Sequence, residues 1–437
     1  MGWQLRENGR LTQLSGSDRS GGGYLDLPFM IRVRVELESR ALDDPAAELR
    51  RSLEQSNPWG SHAPGAKVAI AAGSRGIDRI ADIIGELVSS AEAAGLSALL
   101  VPAMGSHGGA SAEGQIAVLR SLGITEMSCG APIDASMETV RLGVTPSGVE
   151  VFMARAAAEA DIIVVANRVA LHTGYSGPVQ SGLMKMLAVG LGKQEGARSL
   201  HAHGFGAGHL IGEMATLSIR EAPVSFGVAL LEDSGKRLSH VEVIEASRIA
   251  AREPELLETA ASMSARLPVS SAHVLIVDEM GKEISGIGMD PHVTGRGKDL
   301  PPGEVPGFVA EQLVVLSLSE ASGGNATGVG HADVTTMRLA DSIDEEVTMR
   351  NVRTSGALHR ARLPLTATGD REAIETAMRR AGSPGAEEAR VVRIRNTARL
   401  DELWVSAAVA RELAGAPGID VGEERPLSFD DFGNIVW

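Results

Sequence analysis

The densest group of reactive side chains lies between Asn167 and His209, in NRVALHTGYSGPVQSGLMKMLAVGLGKQEGARSLHAHGFGAGH. The stretch holds four of the chain's 11 histidines: His172, His201, His203 and His209. Lys185 sits among Leu183, Met184, Met186 and Leu187. An ammonium in such surroundings loses hydration, its pKa falls, and the neutral amine becomes available for covalent chemistry. The competing reading is a lysine that snorkels from a half-buried helix. His201 and His203 form a His-x-His pair, and imidazole suits nickel, zinc, copper and iron. Taken alone, that pair is also compatible with a polar loop.

Lysine is scarce: 35 Arg stand against six Lys, at positions 67, 185, 193, 236, 282 and 298. Arginine stays protonated and is a poor nucleophile, so each lysine is a candidate for work that arginine cannot do. Three further motifs carry chemistry. Gly73-Ser74-Arg75-Gly76 joins glycines, which allow close backbone approach, to a guanidinium able to clamp a carboxylate or phosphate. Gly105-Ser106-His107-Gly108-Gly109 exposes an imidazole between glycines, as a general base requires. Glu279 to Arg296 is a polar, glycine-rich loop carrying Lys282, Asp290, His292 and Arg296 as candidate contacts, with Lys298 just beyond. Asn325 to Asp333, with His331, is a weaker candidate of the same kind. The Gly105 to Gly109 turn lacks the G-x-G-x-x-G spacing of a dinucleotide site.

The elements around these motifs alternate regularly. Lys67 to Ala72, Ser97 to Ala103, Asp161 to Asn167 and Val224 to Leu231 read as buried strands. Ile77 to Ala91 and Ser111 to Leu122 carry helical spacing between them. Strand, turn, helix, strand is the signature of a parallel sheet. Glu242 to Arg266 reads as a helix interrupted at Pro254. A second series follows a linker at Pro268 to Ser271: strands at Ala272 to Asp278, Leu313 to Ser319 and Arg390 to Asn396, and a helix at Asp401 to Leu413. The first 60 or so residues read as polar and irregular, with a Gly-rich patch at Ser20 to Gly23. The expected fold is therefore α/β, with two α/β domains (1–268 and 269–437) and a cleft between them. The N-terminal domain should carry a mainly parallel, Rossmann-like sheet. Ligands in such sheets sit beyond the carboxyl ends of the strands, where each motif falls.

Composition narrows the partners. The 437 residues are 43% hydrophobic, enough for real cores. A net charge of −15 argues against nucleic acid and acidic membrane surfaces. A single cysteine, Cys129, allows neither a disulfide framework nor a thiolate cluster within one chain. No apolar run approaches the ~20 residues of a membrane span, and the first residues lack the apolar core of a signal peptide. A cytoplasmic location is the expectation, with homo-oligomerisation left open.

Together these motifs resemble the nickel-pincer lactate racemase family, over roughly residues 65 to 300. The carriers are Ser74-Arg75, the Gly-Ser-His-Gly-Gly turn, His172, Ser-Gly-x-x-Lys at Ser181 to Lys185, and His201 sixteen residues later. The resemblance implies a nickel-pincer nucleotide (pyridinium-3,5-bisthiocarboxylic acid mononucleotide), supplied by pincer-biosynthesis proteins and tethered to Lys185. It implies His201 as the nickel ligand, with His203 as the alternative, and His107 and His172 as alternating bases. Arg75 would bind the carboxylate of a 2-hydroxy acid. Ser74, Gly105, Ser106, Gly108, Gly109, Ser181 and Gly182 would hold the cofactor. The implied reaction is racemisation or epimerisation: one histidine takes the hydroxyl proton while the C2 hydride passes to the cofactor.

Three departures from the family pattern point away from lactate itself. Ala71-Ala72-Gly73 stands where an Asp is usual, extra residues fall at Pro178-Val179-Gln180, and Asp290 and Arg296 replace the family's lactate contacts near Lys282. Two other functions fit the same residues. One is a Schiff-base enzyme of the aldolase type acting through Lys185. The other is a non-catalytic two-domain module for a nucleotide or organic anion.

Overall fold

The computed structural model describes residues 3–5, 11–13, 25–60, 62–204, 207–296, 307–382 and 385–436. The Gly-rich patch at 20–23 and Lys298 lie outside them.

The expected strands form a five-stranded sheet in the order Leu238–Glu245, Val224–Glu232, Ile162–Arg168, Lys67–Ala72, Ser97–Pro102. All neighbours are parallel except the first pair. Alternate residues of Lys67–Ala72 enter two cores. Val68, Ile70 and Ala72 pack with Ile83, Ile84 and Leu87 of the helix Ile80–Ala93. Ala69 and Ala71 pack with Leu183, Leu187, Met214 and Ile249 on the opposite face. Burial on both faces explains why the strands read as continuous apolar runs. From Lys67–Ala72 the chain first adds Ser97–Pro102 on one side, then Ile162–Arg168 on the other. That reversal creates a crevice at the strands' carboxyl ends.

The second sheet has eight strands, in the order Leu365–Ala367, Val334–Thr336, Val309–Leu318, Ser271–Met280, Val391–Asn396, Arg399–Ser406, Met30–Val35, Ile419–Arg425. Its first five strands are parallel and the rest antiparallel. The architecture is thus α/β, built on these two large sheets, with two-stranded ribbons pairing Trp3–Leu5 with Leu11–Gln13 and Thr139–Val144 with Glu150–Ala154.

Four expectations about elements need correction. The described residues among the first 60 are not all irregular: Met30–Val35 is a strand, and Pro45–Ser56 is a helix with Pro near its start and the Asp44 side chain accepting from Ala47 N. In MIRVRV, Ile31, Val33 and Val35 turn to one core and Met30 to the core on the other face, and the strand pairs inside the second sheet, so a boundary at 268 does not separate the sheets. The helix expected from Glu242 starts at Ala246, because Leu238–Glu245 pairs antiparallel with Val224–Glu232. It then runs unbroken to Met263 with Pro254 inside it. The helix expected over Asp401 to Leu413 is a strand to Ser406 and a helix only from Ala407, since Leu403 and Val405 alternate into the core.

Among the described residues no helix is long and apolar enough to cross a membrane.

Candidate functional site

The site is assembled at the crevice from three strand ends. After Lys67–Ala72 comes Gly73, where a Cβ would lie 3.2 Å from Met186 Cε and 3.3 Å from Asn167 Oδ1. Ser74 and Arg75 follow. After Ser97–Pro102 the chain turns through Gly105 to Gly109, and after Ile162–Arg168 it runs to His172.

Two backbone contacts bind these turns to the lysine segment. Gly105 N donates to Gly190 O at 3.1 Å. At Gly190 a Cβ would stand 2.5 Å from Ala103 O, so only glycine lets the two segments close. Lys185 ends the short helix Leu183–Lys185, and Met186–Gly190 continues it as a π-helical turn closed by Leu191 N to Met186 O at 2.9 Å. Such π turns interrupt α-helices most often at functional sites. The helix Lys193–His201 then carries His201 back toward the crevice.

The structure brings Arg75, His107, His172, Lys185, His201 and Lys282 within electrostatic reach of one another. Solvent still touches the His107 and Arg75 side chains, but the flanking protein displaces most of their hydration. That loss of hydration, reinforced by Arg75, Lys185 and Lys282, lowers His107 to about 4. Desolvation, then Arg75, brings Lys185 down to about 7. Desolvation, then Arg75 and Arg360, brings Lys282 to about 8. His172 is held well below its ordinary value by desolvation first, then by Lys185, Arg75, Arg360 and His201. His201 is lowered by desolvation and Lys185, and Arg75 by desolvation and Arg168. The imidazoles are therefore neutral at pH 7, and about half of the Lys185 amine is.

The two central histidines are held differently. His107 Nδ1 lies 2.7 Å from Ser74 Oγ. His172 Nδ1 accepts the backbone N–H groups of Gly174 and Tyr175, both at 3.0 Å. An imidazole nitrogen that accepts two N–H bonds carries no proton, so neutral His172 holds its proton on Nε2. Gln180, one of the extra residues, fixes this loop by accepting from His172 N at 2.7 Å. As found, His172 is a hydrogen-bond donor rather than a free base.

His201 is half-buried beside Lys185, whereas His203, in the turn after the helix, is exposed with Nδ1 2.9 Å from Ser199 O. His209 is exposed too. Two second-domain candidates do not join the site. Asp290 caps the turn Pro291–Thr294, accepting from His292 N at 2.9 Å and pairing with His292 Nδ1. Arg296 binds Asp333 at 2.6 Å and the carbonyls of Ala310 and Glu311. Both are corrected to structural roles, because these contacts tie them to neighbouring residues around the second sheet. Lys282 does face the site: its loop brings Gly286 against Arg75, where a Cβ would lie 2.9 Å from Nη2. His331 stacks near His359 at 5.7 Å.

Of the expected cofactor contacts, Ser181 pairs with Ala170 through two backbone bonds of 2.9 and 3.2 Å. Gly182 is needed for packing, since a Cβ would sit 2.4 Å from Glu253 Cδ. Gly108 packs on Gly114, Ser106 O accepts from Ala110 N, and Gly109 faces open space.

Three contributors escaped the sequence reading. Glu253, buried, accepts from Met184 N at 2.9 Å and anchors the start of the Lys185 helix; burial raises its carboxyl to about 7. Its spacing from Ile249 and Leu257 was the available signal, a carboxylate on an apolar helix face. Tyr175, one of only two tyrosines, lies under Lys185 Nζ, 5.2 Å from the ring centroid, and 4.9 Å from the His172 ring. Arg360, buried in the turn Leu358–Ala361, had no distinguishing signal among so many arginines.

The arrangement can hold an anion, present a partly neutral amine, and offer one half-buried imidazole beside that amine. Among the described residues no group of three or more His, Cys, Asp or Glu is arranged around a metal. A metal held through His201 would need other ligands, which a tethered chelating group supplies. The residues fit such a group.

The class is thus a two-sheet α/β protein with a lysine–histidine site at a topological switch point. Residues 38–206 match the family model described as the lactate racemase N-terminal domain. The fold is similar to the lactate racemase apoprotein from Thermoanaerobacterium thermosaccharolyticum, at 12% identity and TM-score 0.45, covering 84% of this chain and 94% of that one. It is also similar to a Thermotoga maritima protein, at 15% identity and TM-score 0.46, covering 64% of this chain and 72% of that one. No curated protein matches it.

Proposed function

We propose that the chain is a 2-hydroxyacid racemase or epimerase working with a nickel-pincer nucleotide tethered to Lys185. The observation that carries this is the meeting of Lys185, at about 7, with His201, His107, His172 and Arg75 at the switch point. A primary amine must be neutral to form a bond, and this one is half neutral near pH 7. When bound, the cofactor supplies a reversible hydride acceptor for the C2 hydrogen, held to the chain by Lys185 and His201.

The chain's own residues orient the substrate and move its proton. Arg75 binds the 2-hydroxy acid carboxylate bidentately and sets C2 in the crevice. With Nδ1–H donated to Ser74 Oγ, His107 keeps the Nε2 lone pair and takes the hydroxyl proton. The low pKa of His107 keeps that lone pair available at neutral pH. His172 presents Nε2–H to the oxygen as it becomes a carbonyl. For the other enantiomer His172 takes the proton instead, after the Gly174–Tyr175 turn releases Nδ1. Lys282, from the second domain, closes over the substrate and excludes water.

The deciding experiment is peptide mass spectrometry with nickel analysis, on chain co-produced with pincer-synthesising enzymes and an authentic racemase in parallel. A modified Lys185 peptide with nickel supports the reading. An unmodified Lys185, with the reference enzyme loaded, overturns it. The same neutral amine also favours a Schiff-base enzyme, for which borohydride plus a carbonyl substrate would trap an adduct at Lys185 without nickel.

A further inference from the structure

Lys193 is one of the chain's six lysines, and the proposed reaction gives it no task. Among the described residues five non-glycines have a positive φ, and Lys193, at 52°, is the one that is buried. A left-handed lysine is strained, and strain of this kind persists where surrounding contacts impose it. The conformation opens the helix Lys193–His201, and Lys193 Nζ donates to Gln115 Oε1 at 2.9 Å. Both residues are 0% exposed. Gln115, on the helix Ala112–Ser121, passes the contact on: its Nε2 donates to Gly105 O at 2.9 Å and lies 3.5 Å from His107 O.

The His107 turn needs such a hold. Gly105, Gly108, Gly109 and Ala110 have φ of 58°, 67°, 66° and 54°. Glycine adopts that conformation freely, but Ala110 does so at a cost. On the other side of the turn Gly105 N donates to Gly190 O at 3.1 Å, and a Cβ at Gly105 would lie 3.6 Å from Ala197 Cβ of the Lys193 helix. We propose that Lys193 and Gln115 are positioning residues for His107: the amine fixes the amide, and the amide fixes the turn that presents the imidazole to Ser74 and the crevice. Lys193 is also the first residue of the helix that carries His201, so one buried contact sets the proposed base and the proposed metal ligand against each other. This inference rests on the reading of His107 as the base.

The test is long-range 1H–15N correlation of the His107 ring in unloaded chain, with Tm measured alongside. Two variants are compared with wild type. Lys193→Met combined with Gln115→Met replaces both polar partners by apolar groups of similar shape, which is close to neutral for stability. Gln115→Glu keeps an acceptor for Lys193 but loses the N–H that binds Gly105 O. Wild type should show His107 as a single tautomer, its Nδ1 proton donated to Ser74 Oγ. Both variants should still unfold cooperatively, and in both the His107 nitrogens should average between tautomers while His172 stays unchanged. A folded variant that keeps the wild-type His107 pattern overturns the inference, as does a wild-type ring that already exchanges. The measurement uses neither cofactor nor substrate, so its failure is distinct from failure of the 2-hydroxy-acid reading, which the Lys185 peptide decides.

Discussion

His172 Nδ1 accepts the backbone N–H of Tyr175 at 3.0 Å, and the residue that carries that amide also places its ring 4.9 Å from the imidazole. One turn thus sets both the tautomer and the packing of the ring. In the resting chain, long-range 1H–15N correlation should show His172 protonated at Nε2 and bare at Nδ1. A resting Nδ1–H tautomer would contradict this geometry. Gln180→Ala, which removes the acceptor for His172 N, should loosen the turn and make the ring exchange between tautomers.

The Lys185 amine should titrate near 7 in competitive labelling with a small acylating reagent, below Lys193 and Lys282. Its effect on stability has a definite sign. Between pH 7 and 10.5 the unfolded chain holds the proton that the folded chain has released, so stability rises with pH across that window. Lys193 and Lys282, both near 8, act in the same direction from a higher starting pH. Unloaded Lys185→Met should therefore gain less Tm than wild type between pH 7 and 9. Equal gains would mean that the amine is not desolvated. Glu253, raised to about 7, acts oppositely below that pH: the folded state holds the extra proton, and its contribution is lost as pH climbs from 4.5 to 7.

Nickel retention should separate His201 from His203. His201→Ala is expected to lose the metal from loaded chain, and His203→Ala to keep it, because His203 is exposed and turned to Ser199 O. The reverse pattern by metal analysis would move the ligand two residues along.

Behind the His107 turn, buried Lys193 donates to Gln115 Oε1 at 2.9 Å, and Gln115 Nε2 donates to Gly105 O at 2.9 Å. Gln115→Ala orphans a buried amine and frees the turn. It should cost about 1–3 kcal/mol in urea unfolding, the penalty for an unsatisfied buried polar group. Gln115→Glu, which keeps an acceptor for Lys193, should recover part of that loss. A neutral Gln115→Ala would show that the turn holds itself.

What sequence could reveal here followed from periodicity and from exposure of reactive groups. The parallel strands announced themselves because both faces are buried, the His107 motif because it falls at a strand end, and Lys185 because a scarce lysine stands among apolar residues. Asp290 and Arg296 looked equally reactive, yet their partners, His292 and Asp333, decide their roles. Only one of those partners is near in sequence. Arg360 stayed hidden because the contacts that place it, Gly328 N donating to its carbonyl and Gly328 lying against Ile287 O, join distant segments that no local pattern encodes. The strand Arg399–Ser406 was misread because a short apolar segment suits a helix or a strand until its neighbours are known.

Those neighbours include Met30–Val35, which lies between Arg399–Ser406 and Ile419–Arg425 in the second sheet. Arg32 and its ion-pair partner Glu402 are 370 residues apart in the chain. At about 5–20 residues per second, the ribosome makes an early β-strand wait roughly 20–70 s for its partners. Through that interval a strand with Ile31, Val33 and Val35 on one face has unpaired edges, while the first sheet can already close. Assembly should therefore run inward-out, with the five-stranded sheet complete first and the eight-stranded one sealed last, when Met30–Val35 meets its late-made neighbours. The same order makes the early strand the natural point for a chaperone to hold.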